Sequence, residues 1–146
     1  MNELVTLFFI SFLSSTLLPG GSEAHLSWLV INSTYPLFYL LLIASIGNTL
    51  GGFSNWLLGY FINHSLVRKF KQKKTIRNKR YLIARSWIKK WGVYTLLFSW
   101  LPLIGDLLCL LAGIYKLKWL NCLIAILIGK SIRYALLIYV INEIRI

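Results

Sequence analysis

Two hydrophobic stretches of this chain carry the same interruption, and lipid is the solvent least able to tolerate it. Leu18-Pro19-Gly20-Gly21-Ser22-Glu23 and Leu101-Pro102-Leu103-Ile104-Gly105-Asp106 both read Pro-x-x-x-acid. Downstream lies a second matching pair, Ile46-Gly47-Asn48-Thr49-Leu50 and Ile128-Gly129-Lys130-Ser131-Ile132, with Gly47 28 positions after Pro19 and Gly129 27 after Pro102. Proline and glycine leave backbone groups unpaired and a carboxylate must be desolvated, so such residues enter a membrane only where protein or a water-filled cavity receives them. Two separate motifs kept in the same order point to a duplicated broken-helix unit, the kind of device from which transport sites are built. Chance similarity within apolar, low-complexity sequence is the competing reading.

Composition identifies the solvent. The chain is 58% hydrophobic, its mean hydropathy is +0.68 and 14% of its residues are charged, against about 25% charged in soluble domains. It reads as one integral membrane domain, 1–146, with room for four embedded pieces of roughly 20 residues each. Met1-Asn2-Glu3-Leu4 lacks the basic start of a signal peptide, so insertion is expected to use the internal segments. Cys109 and Cys122 both sit in apolar stretches, where a thiol behaves as a small hydrophobe, and no disulfide framework is expected.

Charge sets the expected orientation. Of 16 Lys and Arg, 11 fall between Arg68 and Lys90. A loop this basic, 63–90, is expected on the cytoplasmic side, because Lys and Arg near span ends resist translocation. Trp87 and Trp91 flank the run as an aromatic belt would. The run could also serve as a patch for anionic lipid or nucleic acid, but no recognisable fold or base-stacking motif supports nucleic acid as a partner.

The expected architecture is an all-α membrane fold: two re-entrant or broken helices plus two long transmembrane helices, arranged as an inverted repeat. Repeat 1 covers about 4–62. Residues 4–18 end at the Pro19-Gly20-Gly21 break, and 24–31 form a shorter apolar piece. Neither spans alone, so the two read as a re-entrant hairpin or a broken helix. Asn32-Ser33-Thr34-Tyr35-Pro36 is a turn signal, and residues 37–62 form a span whose Gly47, Gly51, Gly52 and Gly59 keep small residues on one face for close helix packing. Repeat 2 covers about 91–142. Its interrupted segment, 91–115, has structural breaks at Pro102, Gly105 and Gly113, and residues 119–141 form the last span. With the basic loop inside, the first hairpin dips from the outer face and the second from the inner face, and Pro19–Glu23 faces Pro102–Asp106 at the midplane. Residues 4–31 could instead cross once with a kink, which would put Met1 inside.

Of four acidic residues, Glu23 and Asp106 sit at the breaks. A carboxylate at membrane depth costs on the order of 3 kcal/mol on insertion scales, so it faces a partner or water, and desolvation makes such groups candidate proton carriers. The available partners are Lys130 and Arg133, one helical turn apart on the last span, which together also read as an anion site. Helix N-termini at the glycine breaks would add amide donors. Salt bridging, N-capping or snorkelling are the structural alternatives for these four residues. Asn48 and Asn55 could bond a headgroup, but interhelical hydrogen bonding is the stronger expectation. His25 reads as an interfacial polar residue and His64 as part of the basic loop. No metal-ligand spacing, no nucleophile with its base and no phosphate-binding glycine loop occurs, so no catalytic residue, metal or cofactor is expected.

At these residues the chain resembles the DedA family of membrane proteins, the SNARE-associated or VTT-domain type, and within it the small YqaA-type inner-membrane members. The resemblance rests on Ser14-Ser15-Thr16-Leu17-Leu18-Pro19-Gly20-Gly21-Ser22-Glu23, on Gly47-Asn48-Thr49-Leu50-Gly51-Gly52, on Lys90-Trp91-Gly92 leading to Ser99-Trp100-Leu101-Pro102-Leu103-Ile104-Gly105-Asp106-Leu107-Leu108-Cys109-Leu110-Leu111-Ala112-Gly113, and on Gly129-Lys130-x-x-Arg133-Tyr134. It implies two opposed re-entrant helices and a role in flipping polyprenyl-phosphate carriers or in membrane homeostasis linked to the proton gradient. By position, Pro19 and Glu23 match the first re-entrant motif, and Pro102 with Gly113 the second. Larger members carry an acidic residue near the place of Ser14 and two arginines flanking the second proline, where this chain has Ser99 and Gly105. The expected function is therefore translocation of an anionic, polyprenyl-phosphate-like lipid coupled to protons through Glu23 and Asp106. The alternative is a non-transporting scaffold for membrane integrity. A homo-oligomer would give a path more wall, although no residue pattern specifies one.

Overall fold

The computed structural model describes residues 2–16, 20–62, 79–101 and 104–145; Pro19, Pro102 and the basic run 63–78 lie outside the described residues. Every regular element among them is helical: α1 (Glu3–Thr16), α2 (Gly21–Asn32), α3 (Leu37–Phe61), α4 (Lys79–Trp91), a 3₁₀ helix η1 (Gly92–Trp100), α5 (Ile104–Ile114) and α6 (Trp119–Arg145). Two of them, α3 and α6, are long and apolar enough to cross a membrane. Their ends carry aromatic residues, Tyr39 and Tyr60 on α3 and Trp119 and Tyr139 on α6. Along a helix each pair is about 30 Å apart, which matches the hydrocarbon thickness. By contrast α1, α2 and α5 have 14, 12 and 11 residues, or roughly 21, 18 and 17 Å, too short to cross.

Glycines fix how the helices lie together. A Cβ on Gly47 would sit 2.6 Å from the Phe8 carbonyl, and one on Gly51 2.6 Å from the Phe12 carbonyl. Hence α1 runs beside α3 in the same direction at backbone contact, as small residues permit. The next helix, α2, turns back on α1, because Leu7 near the start of α1 shares a cluster with Leu26, Leu29 and Val30 of α2. Gly20 (φ +98°) makes the reversal by opening α2 in a left-handed conformation. On the other side of α3, Gly59 and Gly113 meet reciprocally: a Cβ on Gly59 would strike the Leu110 carbonyl, and one on Gly113 the Trp56 carbonyl. With Gly52 also facing Cys109 Sγ nearer the start of both helices, α5 runs parallel to α3. Asn48 opposite Tyr134 and Gly52 opposite Ile126 set α6 antiparallel to α3. Gly129 on α6 is pressed against η1, with the Leu97 carbonyl 2.9 Å from where a Cβ would be.

Two readings of the sequence change here. Gly113, expected as a break, lies inside the last turn of α5, where its lack of a side chain serves packing against α3. The basic loop 63–90 is helical from Lys79 onward, with Ala84 and Ile88 buried against α5. Five cations in 13 residues mask that short apolar stripe. The helix ends at Gly92 (φ +58°), and the chain continues as nine residues of 3₁₀ helix, longer than such runs usually are.

The apolar core is divided. One cluster gathers Trp56, Leu96, Leu108, Leu111 and Ile126, the other Leu7, Leu26, Leu29, Leu40, Ala44 and Tyr134. Along α3 they are anchored near Ala44 and Trp56, along α6 near Tyr134 and Ile126. Between them, at the middle of both long helices, lies a polar belt.

Candidate polar site at the helix breaks

The belt is built where α1 ends, α2 and α5 begin, and α3 and α6 pass their midpoints. Lys130 Nζ lies 2.9 Å from Asp106 Oδ1 and is 1% exposed, whereas Asp106 is 26% exposed. Ser15 Oγ donates to the same Asp106 oxygen at 2.9 Å and accepts from Lys130 Nζ at 3.3 Å. One turn further along α6, Arg133 grips Glu23: Nε and Nη2 donate to Oε1 at 2.6 and 2.5 Å, with the two side chains 15% and 34% exposed. Each break thus sends one carboxylate to one cation of the same helix face. At i and i+3, Lys130 and Arg133 are neighbours on a helix surface, so the two pairs lie side by side.

A second layer of hydrogen bonds holds this pair of pairs in place. The fully buried Tyr134 hydroxyl donates to Ser22 Oγ at 2.8 Å and accepts from Asn48 Nδ2, and Ser22 Oγ donates to Ser14 Oγ at 3.1 Å. Asn55 Nδ2 donates to the Ser15 carbonyl at 2.9 Å, satisfying a carbonyl that the end of α1 leaves without an intrahelical partner. The chain of donors joins α1, α2, α3 and α6. Buried polar groups left unpaired are costly, so a joined network specifies one arrangement of these four helices.

Of the residues singled out from sequence, Glu23, Asp106, Lys130 and Arg133 converge. Asn48 joins them through the bond its Nδ2 donates to the Tyr134 hydroxyl, an interhelical contact. Gly20, Gly21 and Gly105 stand at the reversals; a Cβ on Gly105 would collide with the Ser99 backbone. Gly47 and Gly51 stand against the α1 backbone, and Gly52 against Ile126 and Cys109. His25 is half-buried and stacked on Trp28, ring centroids 6.3 Å apart. Sequence reading passed over Ser15, Ser22 and Tyr134 as site residues. Their signal was present: Tyr134 follows Lys130 by four positions, which puts both on one helix face, and the serines flank the first break. Among the described residues no group of three His, Cys, Asp or Glu could hold a metal ion. The two cations are the more deeply buried members of the site, and the two carboxylates are the partly exposed ones.

Two helices long and apolar enough to cross a membrane, three shorter helices and a set of paired charges between them describe an α-helical membrane protein with a polar site among its helices. The VTT domain profile matches residues 24–143, and the chain belongs to that family, the DedA family. Inner membrane protein YqaA of Escherichia coli is 40% identical over 132 residues, covering 90% of this chain and 86% of that protein. A protein of Haemophilus influenzae is 34% identical over 145 residues, covering 94% and 87%. Membrane protein YbfM of Bacillus subtilis is 25% identical over 105 residues, 63% of this chain and 65% of that protein. No solved structure matches the chain.

Proposed function

We propose that this protein moves an anionic lipid of the polyprenyl-phosphate kind across the inner membrane, coupled to protonation of Glu23 and Asp106. The observation that carries the reading is the pair of carboxylate–cation contacts at the middle of both spans, one acid from each break. At rest the two acids neutralise Lys130 and Arg133, which is how such cations are retained at membrane depth. Protonating either carboxyl frees its cation, and a phosphate oxygen can then replace the carboxylate through charge-assisted hydrogen bonds. Deprotonation restores the ion pair and expels the anion. Ligand exchange for carboxylate would supply coupling without any other ion. The cations of α6 take the part that the resemblance assigns to arginines at the places of Ser99 and Gly105.

The inverted-repeat reading fits the same scheme. Helix α1 follows the direction of α3 and α5 opposes that of α6, as two hairpins entering from opposite faces would. On this reading α1–α2 and η1–α5 are re-entrant, their tips meeting at the polar belt, and the basic segment faces the cytoplasm. Rocking one hairpin against α6 would open the belt to one side at a time.

The test is transbilayer movement of a fluorescent polyprenyl phosphate in liposomes holding the purified protein, with and without a pH gradient. Movement that depends on the gradient and is lost in Asp106→Asn supports the proposal. Absence of movement with correctly inserted wild-type protein refutes it and leaves the membrane scaffold as the reading to pursue.

A further inference from the structure

The ends of this molecule are as unlike as its centre is balanced. No acidic residue occurs between Glu23 and Asp106, and the remaining two acids are Glu3 and Glu143. Both of these lie exposed at the end where α1 begins and α6 finishes. At the opposite end, where α3 and α5 finish together and α6 begins, stand Lys116 and Lys118, both exposed, and helix α4. This helix seats Ala84 and Ile88 on α5 and turns Lys79, Lys89 and Lys90 outward, with Arg85 half-exposed. None of these six cations forms an ion pair among the described residues. Lys90 and Lys116 instead stand 5.7 Å over the rings of Trp91 and Tyr60, contacts that leave their charge in place.

Height matters as much as charge. The 3₁₀ helix η1 runs nine residues from Gly92 to Trp100, roughly 18 Å at its usual rise. Half the hydrocarbon thickness is about 15 Å. With the tip of η1 at the level of the polar belt, Lys89, Lys90 and the exposed Trp91 come to the headgroup layer. There an indole is at home and a lysine meets phosphate oxygens. The level of η1 is taken from the central-site reading above; the charge asymmetry is independent of it.

We propose that the α4 end is a docking face for anionic phospholipid headgroups, bound from the leaflet it faces and separate from the central site. The partner is a lipid surface because the cations are interleaved with exposed apolar and aromatic side chains, Leu82 and Trp91, which suit an interface rather than an aqueous polyanion. Anionic lipid held there fixes α4, and through α4 the η1–α5 arm that carries Asp106.

The experiment compares spin-labelled phosphatidylglycerol with spin-labelled phosphatidylcholine on the full chain in nanodiscs. Wild type should restrict the anionic lipid about threefold more than the neutral one at low salt, and the ratio should approach one as salt screens the face. Lys79→Gln, Lys89→Gln and Lys90→Gln together, all outward side chains, should lower the preference without altering the thermal transition. Asp106→Asn should keep it. Equal restriction of both lipids by wild type, or an unchanged preference in the triple variant, overturns the proposal. Loss of the preference in Asp106→Asn overturns it too, by assigning the anion to the central site. Displacement of the lipid by a short duplex DNA at equal phosphate concentration would refute the lipid assignment in favour of a polyanion.

Discussion

The two ion pairs at the centre use the same helix and the same chemistry, yet they are built differently. Lys130–Asp106 has a sealed cation, a shared serine hydroxyl and a carboxylate one quarter exposed. Arg133–Glu23 is a forked contact with a third of the carboxylate open. Removing one partner of a buried pair strands a charge, and the cost falls as the stranded group becomes more exposed: Lys130 is 1% exposed and Arg133 15%. The first pair therefore ties helices together, and the second is the easier one to open. In the transport reading, Glu23 is where a headgroup first competes, and Asp106 is where a proton is needed to free the cation for it.

Substitutions can break this contrast in order of expected size. Lys130→Met should cost about 4 kcal/mol, since Asp106 is left without its cation, and thermal unfolding in detergent followed by tryptophan fluorescence will show it. Adding Asp106→Asn to that variant should recover much of the loss, and a recovery of zero would mean the pair is not coupled. Gly113→Val should cost about 3 kcal/mol by driving a side chain into the Trp56 backbone, and it should weaken the Asp106 side while leaving Glu23–Arg133 intact. Tyr134→Phe removes two hydrogen bonds from a fully buried hydroxyl and should cost about 2 kcal/mol, read in the same melts. Glu23→Gln leaves Arg133 unpaired but less deeply buried than Lys130, so it should cost less than Lys130→Met while abolishing gradient-driven transport. A melt as damaging as that of Lys130→Met would erase the distinction between the pairs.

Much of this was legible in the chain, for definable reasons. Glu23 and Asp106 stood out because an acid in an apolar segment needs a partner, and Lys130 with Arg133 because a three-residue spacing shares a helix face. The two spans followed from length and hydropathy. What stayed hidden depends on tertiary contact. The spacing from Lys130 puts Tyr134 on the same face, but its partners are set only when α2 and α3 supply Ser22 and Asn48. Gly113 looks like a helix stop until Trp56 approaches it. Helix α4 looks like a charged loop because only Ala84 and Ile88 mark its buried side, and the 3₁₀ geometry of η1 has no composition of its own. The serines at the end of α1 gain meaning only once Asp106 arrives from 91 residues away.

The most direct test of the central claim is a charge swap, Glu23→Arg with Arg133→Glu, measured for gradient-driven movement of fluorescent polyprenyl phosphate in liposomes. The swapped chain keeps the ion pair but moves the cation off α6 and the proton carrier off the break. The account predicts wild-type thermal stability with transport abolished. Wild-type stability with transport retained would show that the pair is a structural bridge, and would contradict the assignment of Glu23 and Arg133 to the transport step.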